Sequence, residues 1–117
     1  MALGKITIST HVLDTARGKP APDIQVHLEQ QESGQWRSIV SARTDQNGRC
    51  AQLVADDKAL GPGIYRLSFD TESYYAVHRI QGLYPVVQIA FHVRDGEAHY
   101  HIPLLLSPHG YTTYRGS

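Results

Sequence analysis

Apolar and polar residues alternate with a period of two along most of this chain, and turn signals interrupt the alternation roughly every eight to twelve residues. Successive side chains of a strand point to opposite faces, so this pattern demands half-buried β-strands. The first runs from about Lys5 to Asp14, with Ile6, Ile8, Thr10 and Val12 on one face and Thr7, Ser9 and His11 on the other. Gly18-Lys19-Pro20 breaks it. A second strand starts near Ile24, with Ile24, Val26 and Leu28 inward and Gln25, His27 and Glu29 outward. Ser33-Gly34 turns the chain into a third, from about Trp36 to Thr44. Asp45-Gln46-Asn47-Gly48 is the clearest turn, because Asn and Gly tolerate the positive φ of tight hairpins.

A short strand, Arg49 to Val54, follows, and Leu60-Gly61-Pro62-Gly63 breaks the chain again. Tyr65, Leu67 and Phe69 then alternate with Arg66 and Ser68. Thr71 to Ile80 is the one helical candidate: Thr71 caps it, Glu72 suits the first turn, and Ser73, Ala76, Val77 and Ile80 form its face. Beyond Pro85, Val87, Ile89, Phe91 and Val93 point inward. After the Asp95-Gly96 turn, Tyr100, Ile102, Leu104 and Leu106 share the inner face of a strand from Ala98 to Leu106. Ser107-Pro108 and Gly110 precede a last short strand, Tyr111 to Tyr114. About eight short strands and one helix define an all-β chain, an antiparallel β-sandwich, with a small closed barrel as the alternative.

With 117 residues, the expectation is a single domain spanning 1–117. The 11 basic and 11 acidic residues cancel, so no net field steers the chain to nucleic acid or to an anionic membrane surface. Wholly apolar runs such as Leu104–Leu106 are far too short to span a bilayer. Cys50 is the only cysteine, which excludes an intrachain disulfide scaffold. Residues 1–7 lack the apolar stretch of a secretory signal, so the expected location is cytoplasmic.

Seven histidines, at 11, 27, 78, 92, 99, 101 and 109, invite a search for proton-transfer chemistry. His99 and His101 share a strand face opposite Tyr100 and Ile102, and therefore point outward if those two pack inside. His11 holds the polar face of its own strand. The plain alternative is a set of solvated surface histidines. His99-x-His101 also has metal-ligand spacing, with His11 as a third ligand, but no cysteine pair or His-Glu motif accompanies it, and no metal or cofactor is expected. Arg49 follows the Asn47-Gly48 turn, either as a solvated flanking residue or as a guanidinium aimed at a planar carbonyl. Cys50 reads as a small buried hydrophobe.

Three segments carry a resemblance. They are Ser9-Thr10-His11-Val12-Leu13-Asp14 with Gly18-Lys19-Pro20-Ala21, then Thr44-Asp45-Gln46-Asn47-Gly48-Arg49-Cys50, and finally His99 to Pro108 with Tyr111-Thr112-Thr113-Tyr114-Arg115-Gly116-Ser117. Together and in this order they resemble the transthyretin-like 5-hydroxyisourate hydrolases over essentially the whole chain. The resemblance implies the transthyretin-like sandwich of eight strands with one short helix. It implies a homotetramer whose outer sheet faces line a channel, with active sites where dimers meet. It carries catalytic roles onto His11, Arg49, His101 and Ser117, with Tyr114 and its neighbours shaping the pocket and Tyr114 joining His11, Arg49 and Ser117 in binding substrate; His99 lies beside the motif. The reaction implied is hydrolysis of 5-hydroxyisourate to the ureidoimidazoline of urate catabolism, with His11 or His101 as base, Arg49 on the developing charge and Ser117 orienting water or substrate. The rival implied by the same fold is a hormone or small-molecule carrier, which favours an apolar channel lining instead.

Overall fold

The computed structural model describes residues 6–51, 53–54 and 60–117. Its strands are β1 (Thr7–Asp14), β2 (Lys19–Pro20), β3 (Gln25–Glu32), β4 (Gln35–Arg43), β5 (Arg49–Cys50), β6 (Gly63–Phe69), β7 (Val87–Val93), β8 (His99–Ser107) and β9 (Gly110–Thr113), with helix α1 (Thr71–Val77) between β6 and β7. One sheet has the order β2-β1-β8-β9, with β5 also pairing to β1; the other has the order β4-β3-β6-β7. The inner faces follow the alternation of the sequence. Ile8, Val12, Val26, Leu28, Tyr65, Leu67, Phe69, Val87, Leu104 and Leu106 are almost wholly buried in one cluster between the sheets. Burial of such side chains is worth about 1.5–3 kcal/mol each, which makes period-two alternation an effective instruction.

Three features depart from the reading of the sequence. Lys19-Pro20, read as a break, pairs with Leu13 and Asp14 as β2. The pairing of β1 with β8 is parallel, so the sandwich is antiparallel in its other ladders only. A parallel pair needs a long crossover, and here the whole second sheet supplies it. The expected strand Lys5 to Asp14 begins at a residue outside the described ones, and the expected strand Arg49 to Val54 is shorter, since β5 comprises Arg49 and Cys50, with Gln52 outside the described residues.

The helix also differs. Asp70, not Thr71, is its cap, accepting a hydrogen bond from the Ser73 amide at 3.1 Å. Thr71 instead donates its hydroxyl to the Tyr84 carbonyl at 2.7 Å. The buried face is Thr71, Tyr74 and Tyr75, whereas Val77 of the expected face is 80% exposed. Two aromatic rings cover more apolar surface than Ala76 and Val77, and Tyr74 gains a buried hydrogen bond to Asp14 at 2.7 Å.

Candidate active site

The parallel register sets Thr7 opposite His99, Ser9 opposite His101 and His11 opposite Pro103. These positions all lie on the outer face of the sheet, because the alternate residues Ile8, Thr10 and Val12 are buried. Each hydroxyl meets the imidazole beside it: Thr7 Oγ1 lies 2.7 Å from His99 Nδ1 and Ser9 Oγ lies 2.8 Å from His101 Nδ1. On the other edge of β1, β5 brings Arg49 opposite His11.

The turn before β5 is held by its own side chain. Asp45 Oδ1 accepts from the amides of Asn47 at 2.8 Å and Arg49 at 3.0 Å, and the Asp45 carbonyl accepts from Gly48 at 2.9 Å. Gly48 has φ +75° and lies so close to β1 that a Cβ would collide with the Val12 carbonyl. Its own carbonyl accepts from the Val12 amide at 2.7 Å. A glycine is required there on both counts. The docked turn directs the Asn47 carbonyl at His11, whose Nε2 lies 2.8 Å away. A carbonyl has no proton to give, so Nε2 is the donor. Neutral His11 thus carries its proton on Nε2 and keeps its lone pair on Nδ1.

The C-terminal residues return across β8. The Gly116 amide donates to the His101 carbonyl at 2.7 Å, forming an isolated bridge. A Cβ on Gly116 would stand 2.5 Å from His101 Cδ2 and 3.4 Å from Pro103 Cγ, so the backbone lies directly against the imidazole. Arg115 secures this crossing. It pairs with Glu97 at 2.6 Å, donates to the His99 carbonyl at 2.8 Å, and stacks its guanidinium 4.4 Å over the Tyr100 ring. Ser117 is thereby delivered to a cavity of about 370 Å³ whose lining includes Ser9, Arg49, His99 and His101.

Of the residues named from sequence, Arg49, His101 and Ser117 share this cavity. His11 stands beside it, opposite Arg49 in the ladder. Tyr114 does not line it. That side chain, 54% exposed, borders a separate groove with Ile89, Phe91 and Thr113, where the chain has left β9 and not yet reached Gly116. Sequence reasoning gave no role to Ser9, and it placed Asp45 and Asn47 only in a turn and Arg115 only among the neighbours of Tyr114. Ser9 was visible as an outward neighbour of His11, but only the β1–β8 register joins it to His101.

Electrostatics separates the imidazoles. Burial lowers the His101 pKa below the ordinary histidine value, and the positive charges of His11 and Arg49 lower it further. The neutral imidazole of His101 is thereby favoured. Cys50 faces inward, and burial, with Asp45 adding to it, pushes its thiol up to about 11, so it is not a thiolate nucleophile. Among the described residues, no three His, Cys, Asp or Glu side chains converge in a metal-binding group. A neutral imidazole beside a guanidinium can take a proton from water while the guanidinium meets developing negative charge.

The molecule so defined is a two-sheet sandwich with a basic, proton-accepting cavity on one outer face. Residues 8–116 match the HIUase/Transthyretin family. The 5-hydroxyisourate hydrolase of Salmonella typhimurium is 42% identical over 117 residues, covering 100% of this chain and 85% of that protein. The structure of Klebsiella pneumoniae 5-hydroxyisourate hydrolase superposes with a TM-score of 0.85 at 34% identity, covering 96% of this chain and 99% of that one. Sea bream transthyretin in complex with thyroxine superposes with a TM-score of 0.87 at 29% identity, covering 94% of each chain. The chain belongs to the HIUase/Transthyretin family. Its backbone resembles hydrolase and transthyretin almost equally, so the side chains of the outer face must distinguish the two activities.

Proposed function

We propose that the chain is a 5-hydroxyisourate hydrolase of urate breakdown, with His101, Arg49, His11 and Ser117 as its working residues. The observation that carries this reading is the convergence of neutral His101 with Arg49 and Ser117 in one cavity. It occurs in a chain similar over its full length to named hydrolases. His101 is the base: its Nδ1 is engaged by Ser9, leaving Nε2 to take a proton from water. The hydroxide adds to a ring carbonyl of the six-membered ring, and the Arg49 guanidinium binds the oxyanion of the tetrahedral intermediate. As the C–N bond breaks, the proton held on His101 passes to the leaving nitrogen, yielding a carboxylate and the ureido group. His11, opposite Arg49 in the ladder, joins it in binding substrate, and Ser117 orients water or substrate. A positioned base contributes about 10²–10⁴-fold and an oxyanion donor about 10²–10³-fold.

The thyroxine-bound relative favours a carrier as the second reading. The cavity here is lined by Arg49, His99, His101 and hydroxyl groups, which suit a polar ring amide better than an apolar hormone. The homotetramer and the cytoplasmic location belong to the same proposal. The cavity lies on an outer sheet face, where a second copy would shield it from bulk water, and light scattering measures the assembly. One assay tests the activity. The absorbance of freshly generated 5-hydroxyisourate decays faster on adding the protein; a decay no faster than the spontaneous one, with bound thyroxine detected by calorimetry, establishes the carrier.

A further inference from the structure

We propose that Ser9 is a positioning residue for the hydrolysis, holding His101 in the orientation and tautomer of a base. This rests on the functional reading above and adds a residue that it did not require.

Ser9 and His101 are register partners in the parallel ladder, 92 positions apart in sequence, and their side chains meet at 2.8 Å on the outer face. Ser9 itself lines the cavity. The imidazole is gripped from two directions: Ser9 engages Nδ1, and the Gly116 backbone lies against the Cδ2 edge. These contacts leave Nε2 as the ring nitrogen available to the cavity.

The hydroxyl can donate or accept, so the surrounding charge selects the tautomer. The charges that act on His101 come from His11 on β1 and Arg49 on β5, and the cavity also holds His99, Tyr100 and the carboxylate-bearing last residue, Ser117. No Asp or Glu is among the described residues that line the cavity. With Arg49 on the cavity side, an Nε2 lone pair facing the guanidinium is favoured over an N–H facing it. Nδ1 then carries the proton and donates it to Ser9 Oγ, and Nε2 is the base. A carboxylate in place of Ser9 would orient the ring equally well but would stabilise the imidazolium and keep the base protonated. A neutral hydroxyl orients without that penalty, in keeping with the lowered pKa of His101.

The test uses the full chain with Ser9→Val, which removes the hydroxyl and suits a strand, and Ser9→Thr, which keeps it. Two readouts are taken: steady-state hydrolysis of freshly generated 5-hydroxyisourate, and ¹⁵N NMR of the histidine rings across pH. In Ser9→Val, kcat falls about 10- to 100-fold with KM within about twofold, the size expected for a mispositioned group. The His101 signals move from the Nδ1–H pattern to a mixture of tautomers. Ser9→Thr restores both. The proposal is overturned if Ser9→Val keeps wild-type kcat, if its His101 tautomer is unchanged, or if Ser9→Thr is as impaired as Ser9→Val. Absence of turnover in the unaltered protein would instead remove the functional reading, and the NMR series would still decide whether Ser9 sets the ring.

Discussion

The two outer faces of the sandwich are built from the same kinds of side chain, yet among the described residues these are arranged differently. On the β4-β3-β6-β7 sheet, Ser41 Oγ lies 2.6 Å from His27 Nδ1, much as Ser9 meets His101 across the molecule. Each face also presents an arginine, Arg66 on one and Arg49 on the other. Arg66, however, is held by Glu29 through two bonds of 3.0 Å and packs 4.2 Å from the centre of the Trp36 ring. Arg49 forms no ion pair among the described residues, and it acts with His11 to depress the proton affinity of His101. A hydroxyl–imidazole pair alone is therefore ordinary sheet chemistry. In the proposed site the cation has no ion-pair partner among the described residues, and a returning chain segment lies against the imidazole.

Removing the imidazole breaks this contrast most severely. His101→Ala lowers kcat/KM for 5-hydroxyisourate by about 10²–10⁴-fold, whereas His27→Ala on the opposite face leaves it within about twofold. Equal losses from both would show that the faces differ in appearance only. The chain crossing comes next. Gly116→Ala drives a methyl group into the His101 ring and costs about 100-fold in kcat, with little change in the thermal midpoint. Gly61→Ala, where a Cβ meets nothing within 4 Å, retains full activity in the same assay.

A smaller effect concerns pH. Because His101 must be neutral to act as base, activity falls as pH drops through its lowered pKa. His11→Gln removes one of the positive charges that depress it, so the acid limb of the kcat/KM profile moves to higher pH. A limb that stays in place would exclude His101 as the titrating group.

The mildest change is on the inert face. Glu29→Gln breaks the ion pair with Arg66, costs no more than about 1 kcal/mol for a pair still partly solvated, and leaves hydrolysis unchanged. The Arg66 bond holds the Glu29 pKa below the ordinary carboxylate value, despite an opposing contribution from burial. Its stabilisation is accordingly present above the unfolded-state pKa and lost as pH falls through the lowered folded-state value. Thermal midpoints of the two proteins measured from neutral to acid pH should therefore converge at the acid end.

Much of the candidate site was legible as a set of residue types, and less of it as an arrangement. The outward faces of His11, His99 and His101 follow from strand alternation alone. The docked turn at Asp45-Gln46-Asn47-Gly48 follows from residues that favour it. Arg49 and Ser117 were singled out by resemblance, since neither a flanking arginine nor a C-terminal serine carries a local signal. Tyr114 was grouped with them, but it borders a different groove, because the backbone between Thr113 and Gly116 crosses from one ladder to another.

The sequence by itself determined which strand residues are buried and where the chain turns, because both depend on properties within a few residues: side-chain polarity at period two, and backbone freedom at glycine and asparagine. The tertiary structure alone decided that β1 and β8 lie parallel, that Ser9 meets His101, that Gly116 crosses the imidazole, and that Tyr74 and Tyr75 rather than Ala76 and Val77 face the core. Those outcomes depend on register between segments as much as 92 residues apart and on which surfaces compete for burial. No local pattern encodes either one, since many alignments of alternating strands bury the same inner faces equally well while bringing different outer side chains together.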